Sequence, residues 1–121
     1  MILDHVNIGV AGLAASRAFS ERALAPLGIT FVMANQAGVG FGSGGKPEFW
    51  ISERGRSGLV HIAFAGADRG TVDRFHSEAI AAGGRDNGAP GVRSQYHPFC
   101  YGAFVLDPDG NNIEAVTHIA G

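Results

Sequence analysis

Leu3-Asp4-His5-Val6-Asn7-Ile8-Gly9-Val10 returns 56 residues later as Leu59-Val60-His61-Ile62-Ala63-Phe64-Ala65-Gly66, and this recurrence decides the fold. In the first copy Val6, Ile8 and Val10 alternate with His5, Asn7 and Gly9, the pattern of a half-buried strand with its histidine on the polar face. The same offset pairs Phe19 with Phe75, Ala23 with Ala79, Leu24 with Ile80 and Gly28 with Gly84. The repeat therefore runs through a helix and into the turn that ends it, and two equivalent histidines belong to one short chain.

Working outward, Leu13, Phe19, Ala23/Leu24 and Leu27 recur at helical spacing, with Gly28 as the stop just past Pro26. Residues 29–34, 39–42 and 48–52 read as short strands separated by Asn35-Gln36 and Ser43-Gly44-Gly45 turns. The second unit repeats the order: strand 59–66, helix about 69–82 ended by Gly83-Gly84, then strands near 85–88, 101–106 and 112–118. The predicted fold is α+β, two βαβββ modules of about 1–56 and 57–121 in a single domain. Asp107-Pro108-Asp109-Gly110 is a tight-turn signal between the last two strands, because Pro fixes φ and Gly accepts the left-handed position. Residues 89–100 form the longest irregular stretch, and long loops in compact domains are often functional.

The chain has 121 residues, 45% of them apolar, enough for a core. A net charge of −2 supplies neither a basic patch for nucleic acid nor a polybasic arm for an anionic membrane, so a small molecule is the expected partner. One cysteine, no signal-like N-terminus and no apolar run near the roughly 20 residues of a membrane span make the cytoplasm the expected compartment.

Glu114, in Asn112-Ile113-Glu114-Ala115-Val116, lies opposite the apolar Ile113 and Ala115 and so matches the parity of His5 and His61. Two imidazoles and a carboxylate on rigid strands suit a divalent transition metal such as Zn, Ni, Mn, Co or Fe, with coordination positions left for water or substrate.

The two histidine strands, with Phe104-Val105-Leu106-Asp107-Pro108-Asp109-Gly110-Asn111-Asn112-Ile113-Glu114 at the end, resemble the vicinal oxygen chelate superfamily of glyoxalase I, bleomycin and fosfomycin resistance proteins and extradiol dioxygenases. The resemblance covers essentially the whole chain. It implies modules with pseudo-two-fold symmetry forming a curved, mixed-sheet cleft, commonly in a homodimer, and a metal held by His5, His61 and Glu114. It further implies lyase or isomerase chemistry on a substrate with vicinal oxygens, the metal stabilising an oxyanion or enolate. Glyoxalase-type members add a fourth ligand, for which Glu48 is the nearest candidate; Glu114 corresponds to Glu48 or to Phe49 depending on where one gap falls. Glu114 and Glu48 are the expected proton acceptors. A metal-free binding protein of the bleomycin-sequestering kind would use the same cleft, lined by Trp50, Phe41, Tyr96 and Phe99. An extradiol-type dioxygenase would use the same triad with Fe(II), although such enzymes usually carry four modules.

Arg93, Tyr96, His97 and Tyr101 crowd the long loop and are candidates, with Trp50, for substrate binding. Gly40-Phe41-Gly42-Ser43-Gly44-Gly45 matches a dinucleotide fingerprint in spelling only, since a strand rather than a helix should follow it. Cys100 is expected to be a small buried hydrophobe, His76 a solvated helix residue and His118 part of a frayed end.

Overall fold

The computed structural model describes residues 3–36, 38–55, 58–95 and 98–119. The first half runs β1 (Val6–Gly9), α1 (Leu13–Leu24), a 3-10 turn (Ala25–Leu27), β2 (Thr30–Asn35), β3 (Gly38–Gly42) and β4 (Phe49–Ser52). The second runs β5 (His61–Ala65), α2 (Arg69–Ala81), β6 (Arg85–Val92), β7 (Tyr101–Leu106) and β8 (Asn112–Thr117). This is the expected βαβββ order, twice. Each half builds its own four-stranded sheet, ordered β1-β4-β3-β2 and β5-β8-β7-β6. In each, the first strand pairs in parallel with the last and the remaining pairs are antiparallel.

Local chemistry sets the boundaries. Pro26 cannot continue α1, and Gly28, at φ 76°, turns the chain out of it. Asp68 caps α2, its carboxylate accepting the Thr71 N–H at 2.8 Å. That N–H, above all, holds the Asp68 carboxyl below its usual range. Strand β6 is longer than the alternation suggests, because Ala89-Pro90-Gly91-Val92 continues it through register shifts around Gly88. A bulge lets an edge strand absorb glycine and proline without breaking, a pattern that reads as loop in one dimension.

One apolar core serves both halves: Ile8, Val10, Phe19, Phe41, Phe49 and Ile51 from the first, Val72, Phe75, Val105, Ile113 and Ala115 from the second. Phe49 and Phe64 meet edge to face across the boundary, centroids 5.3 Å apart. Arg22 of α1 donates to Glu78 of α2 at 2.8 Å, and these two residues are separated by one repeat length. Equivalent positions touch each other only near the axis relating them, so the pseudo-two-fold axis passes between the helices. The Asp107–Asn111 turn ties the halves together. Its Asp107 carboxylate accepts the N–H groups of Asp109 and Asn111 at 2.9 and 2.8 Å. Asp109 accepts the Ala11 N–H at 3.1 Å and Asn111 that of Val60 at 3.0 Å.

With both sheets packed on this common core, the histidine-bearing face of each is the one turned away from it. Among the described residues, β1 pairs as a strand with β4 and β5 with β8, and no strand pairing joins the two sheets. The two expected modules thus supply two four-stranded mixed sheets within one chain.

Candidate functional site

In the second half the register sets His61 beside Asn112 and Ala63 beside Glu114, so His61 and Glu114 are diagonal neighbours on the outward face. His61 Nε2 lies 2.7 Å from Glu114 Oε1. Glu114 is the deeper member, its side chain 12% exposed against 54% for His61. Phe104, opposite Glu114 on β7, places its ring 6.0 Å from that of His61. Gly102 lies beside the carboxylate, and a Cβ there would sit 3.4 Å from Oε2, in ordinary contact.

In the first half His5 lies one residue ahead of β1 and is exposed. Its Nδ1 donates to Asp4 at 2.8 Å, and the Lys46 ammonium donates to the other oxygen of the same carboxylate at 2.6 Å. Lys46 foremost, then His5, hold the Asp4 carboxyl below the usual range. With Nδ1 engaged, Nε2 is the nitrogen left for a ligand, the usual way a carboxylate orients a metal-binding imidazole. The Glu48 carbonyl accepts the Val6 N–H at 2.8 Å, which sets Glu48 alongside His5. Both line a cavity of about 360 Å³ whose apolar wall includes Phe41, Phe49 and Phe64.

Laying one half on the other through these registers resolves the ambiguity over Glu114. Asn7 pairs with Trp50 as Ala63 pairs with Glu114, so Trp50 is the counterpart of Glu114, and Glu48 that of Asn112. Neither Glu48 nor Phe49 is. The gap that sequence left floating falls in the β6–β7 connection, where the second half is longer. Trp50 lies across Gly40, whose added Cβ would come within 3.1 Å of the indole, and Gly40 is the counterpart of Phe104. Each half thus sets one aromatic on its outward face, from β4 in one and β7 in the other.

The single chain does not gather the expected triad. Among the described residues no group of three or more His, Cys, Asp and Glu side chains is placed to hold a metal ion, and His5 stands apart from the His61–Glu114 pair.

The other candidates are divided between faces. Trp50 shares the outward side of its sheet with Asn7 and Glu48. Arg93 reaches over the Phe104 ring, 5.4 Å from its centroid, and so joins the face of His61 and Glu114. Tyr101 lies on the opposite side, in line with the buried Ala103 and Val105, and its hydroxyl donates to Asp73 at 2.6 Å. That carboxylate raises the Tyr101 pKa above the usual phenol value. Phe41 is a core residue, fully buried, and Phe99 is exposed. Tyr96 and His97 lie outside the described residues. Cys100 is buried, as expected. His76, expected in solvent, is mostly covered and bonded to Asp86 at 2.9 Å, which lowers the Asp86 pKa. Two contributors went unread in the sequence: Asp4, which orients His5, and Phe104. The alternation Gly102, Phe104, Leu106 in β7, matched to Glu114, was the signal that could have found the latter.

No protein-family model matches the chain, and no curated protein sequence matches it. Among solved structures, a glyoxalase/bleomycin resistance protein from Albidiferax ferrireducens is 30% identical, with a TM-score of 0.85 over 97% of this chain and 99% of that one. A glyoxalase/bleomycin resistance protein/dioxygenase family enzyme from Burkholderia phytofirmans is 22% identical, with a TM-score of 0.73 over 96% and 98%. A lactoylglutathione lyase from Agrobacterium tumefaciens is 18% identical, with a TM-score of 0.69 over 97% and 92%. These last two share the fold. With its paired modules, its outward histidine on each sheet and the first of these relatives matched nearly end to end, the chain belongs to the glyoxalase/bleomycin resistance protein family.

Proposed function

We propose that this protein is a metal-dependent lyase or isomerase acting on a small substrate with adjacent oxygens, and that its site is assembled between two copies of the chain. The observation that carries the reading is the His61–Glu114 pair, 2.7 Å apart on the outward face of one sheet, with His5 on the corresponding face of the other. Both sheets present an open first-strand edge, β1 in one and β5 in the other. Two copies paired along these edges would bring His5 of one against His61 and Glu114 of the other. Leu3 and Leu59, next to those strands and 60% and 68% exposed, supply apolar surface for such contact.

The donor set fits a divalent transition cation: two imidazole nitrogens and one carboxylate, with each histidine already held by an acidic neighbour. Trp50 occupies the place of a fourth carboxylate, so the set stops at three and leaves positions for two substrate oxygens. A bound cation supplies charge stabilisation for an oxyanion developing on the substrate. Glu114 and the imidazoles orient that end of the substrate, and Trp50 and Phe104 wall it from water. Glu48, alongside His5, is placed to accept a proton from the carbon next to the polarised carbonyl.

Elemental analysis after purification tests this reading. Wild type should carry metal in stoichiometric amount; His5→Ala, His61→Ala and Glu114→Gln should each lose it. Co-expressed His5→Ala and Glu114→Gln chains should recover metal at one of the two sites of the mixed dimer, which joins the intact residues of both. Equal metal in all variants, or no recovery in the mixed dimer, rejects it. A second reading, metal-free capture of a small molecule, is favoured by the aromatic pair Trp50 and Phe104, and predicts no metal in any sample.

A further inference from the structure

We infer that the ligand of this face is a carboxylate-bearing planar molecule, its acid group taken by Arg93 and its ring laid on Phe104. The inference rests on the reading of His61 and Glu114 given above. Glu114, His61, Phe104 and Arg93 are linked in turn: Glu114 bonds His61, the His61 ring is 6.0 Å from that of Phe104, and the Arg93 guanidinium is 5.4 Å from the Phe104 centroid. A negative end, an imidazole, an aromatic platform and a positive end thus follow in order along one sheet face.

The position of Arg93 is built into the strand. Its Nη2 donates to the Ala89 carbonyl at 2.7 Å, and its backbone N–H donates to Cys100 at 2.7 Å. A Cβ on Gly88 would stand 2.8 Å from Phe104 and 3.3 Å from Nη2, and one on Gly91 would stand 3.0 Å from Nη1. Two glycines in the edge strand therefore leave the space that the guanidinium occupies. Among the described residues no carboxylate forms an ion pair with Arg93, although Asp or Glu partners are found for Arg17, Arg22 and Lys46. A fixed, half-buried guanidinium with donors to spare is a fork for a carboxylate, and the ring beneath it favours a flat ligand. Phe104 contacts both His61 and Arg93, so a ligand on its ring would meet His61 and Glu114 through its oxygens and Arg93 through its acid.

Three probes separate the parts: 3,4-dihydroxybenzoate, its amide, and benzoate, with affinities measured by calorimetry or by protein NMR shifts. The acid should bind wild type at least about tenfold more tightly than the amide, a gap of about 1.4 kcal/mol. In Arg93→Gln that preference should fall to about onefold, and Arg93→Lys, which keeps the charge without the fork, should fall between. Benzoate should still bind Glu114→Gln, whose metal ligand is gone, and should lose affinity in Arg93→Gln. Circular dichroism and the melting transition establish folding of each variant, and Arg93→Lys decides the matter if Arg93→Gln does not fold. Equal affinity for acid and amide in wild type, or an unchanged preference in the Arg93 variants, overturns this inference and leaves the metal reading intact. Absence of metal with benzoate bound and Arg93-dependent overturns the metal reading alone.

Discussion

Gly84→Ala should be among the most damaging single-methyl additions in the chain. Gly84 follows α2 directly, and its N–H donates to the Ala79 carbonyl at 2.9 Å. A Cβ built there would lie 2.5 Å from Val105 Cγ1, 2.7 Å from Phe19 Cε1 and 2.8 Å from the Ala79 carbonyl oxygen. Val105 and Phe19 are 0% and 3% exposed, so neither has space to retreat, and the third contact is helix backbone. Its φ is not in the left-handed region, so the cost is steric rather than conformational. Overpacking of this kind costs about 1–3 kcal/mol, and three short contacts with rigid neighbours place Gly84→Ala at the upper end, about 3 kcal/mol. With an m-value of about 1.5–2 kcal/mol/M for a chain of this size, the urea midpoint should drop by about 1.5–2 M at matched protein concentration, with m unchanged. Gly44→Ala is the control, since nothing lies within 4 Å of its added Cβ. It should stay within about 0.5 kcal/mol of wild type. A Gly84→Ala midpoint no lower than that of Gly44→Ala would refute the reasoning that this glycine lets α1, α2 and β7 meet.

Trp50→Glu places a carboxylate at the counterpart of Glu114; in the assembled site it should complete a four-ligand set and lower the metal dissociation constant by tenfold or more, read by competition with a chromogenic chelator. Asp107→Ala removes the acceptor of two backbone N–H groups and of the Asn111 amide in a buried turn, and should cost about 2–4 kcal/mol in the same urea assay. Tyr101 titrates above the usual phenol value when folded, so its hydroxyl contributes stability that is fully present below that value and is lost as pH rises through the folded one. Tyr101→Phe should therefore flatten the alkaline fall in melting temperature, and an unchanged alkaline slope would count against the Asp73 bond.

The fold was legible because the repeat carries it. His5 and His61, Phe19 and Phe75, Gly28 and Gly84 state the architecture twice, and two copies of a weak signal outweigh one. Pairing between strands was legible only in part, since parity can say that Glu48, Trp50 and Ser52 share a side but not which of them stands level with Asn7. A gap of a few residues moves that assignment, and the extra length hid in the end of β6 at Gly88-Ala89-Pro90-Gly91 and in the β6–β7 connection after it, which together read as one loop. His61 and Glu114 came together as the matched parity implied. His5 did not join them within one chain, because how one module seats on the other, as in the Arg22–Glu78 contact between the helices, leaves no trace in either module read alone.

Trp50 is the sole tryptophan of the chain. Because it sits at the counterpart of Glu114 and is half-buried on the outward side of its sheet, intrinsic emission excited near 295 nm arises from that face, where the proposed site lies, and from nowhere else. A paramagnetic ion seated nearby should quench that light and a closed-shell one should leave it, so an unlabelled sample in a cuvette can report which species has arrived and how fast.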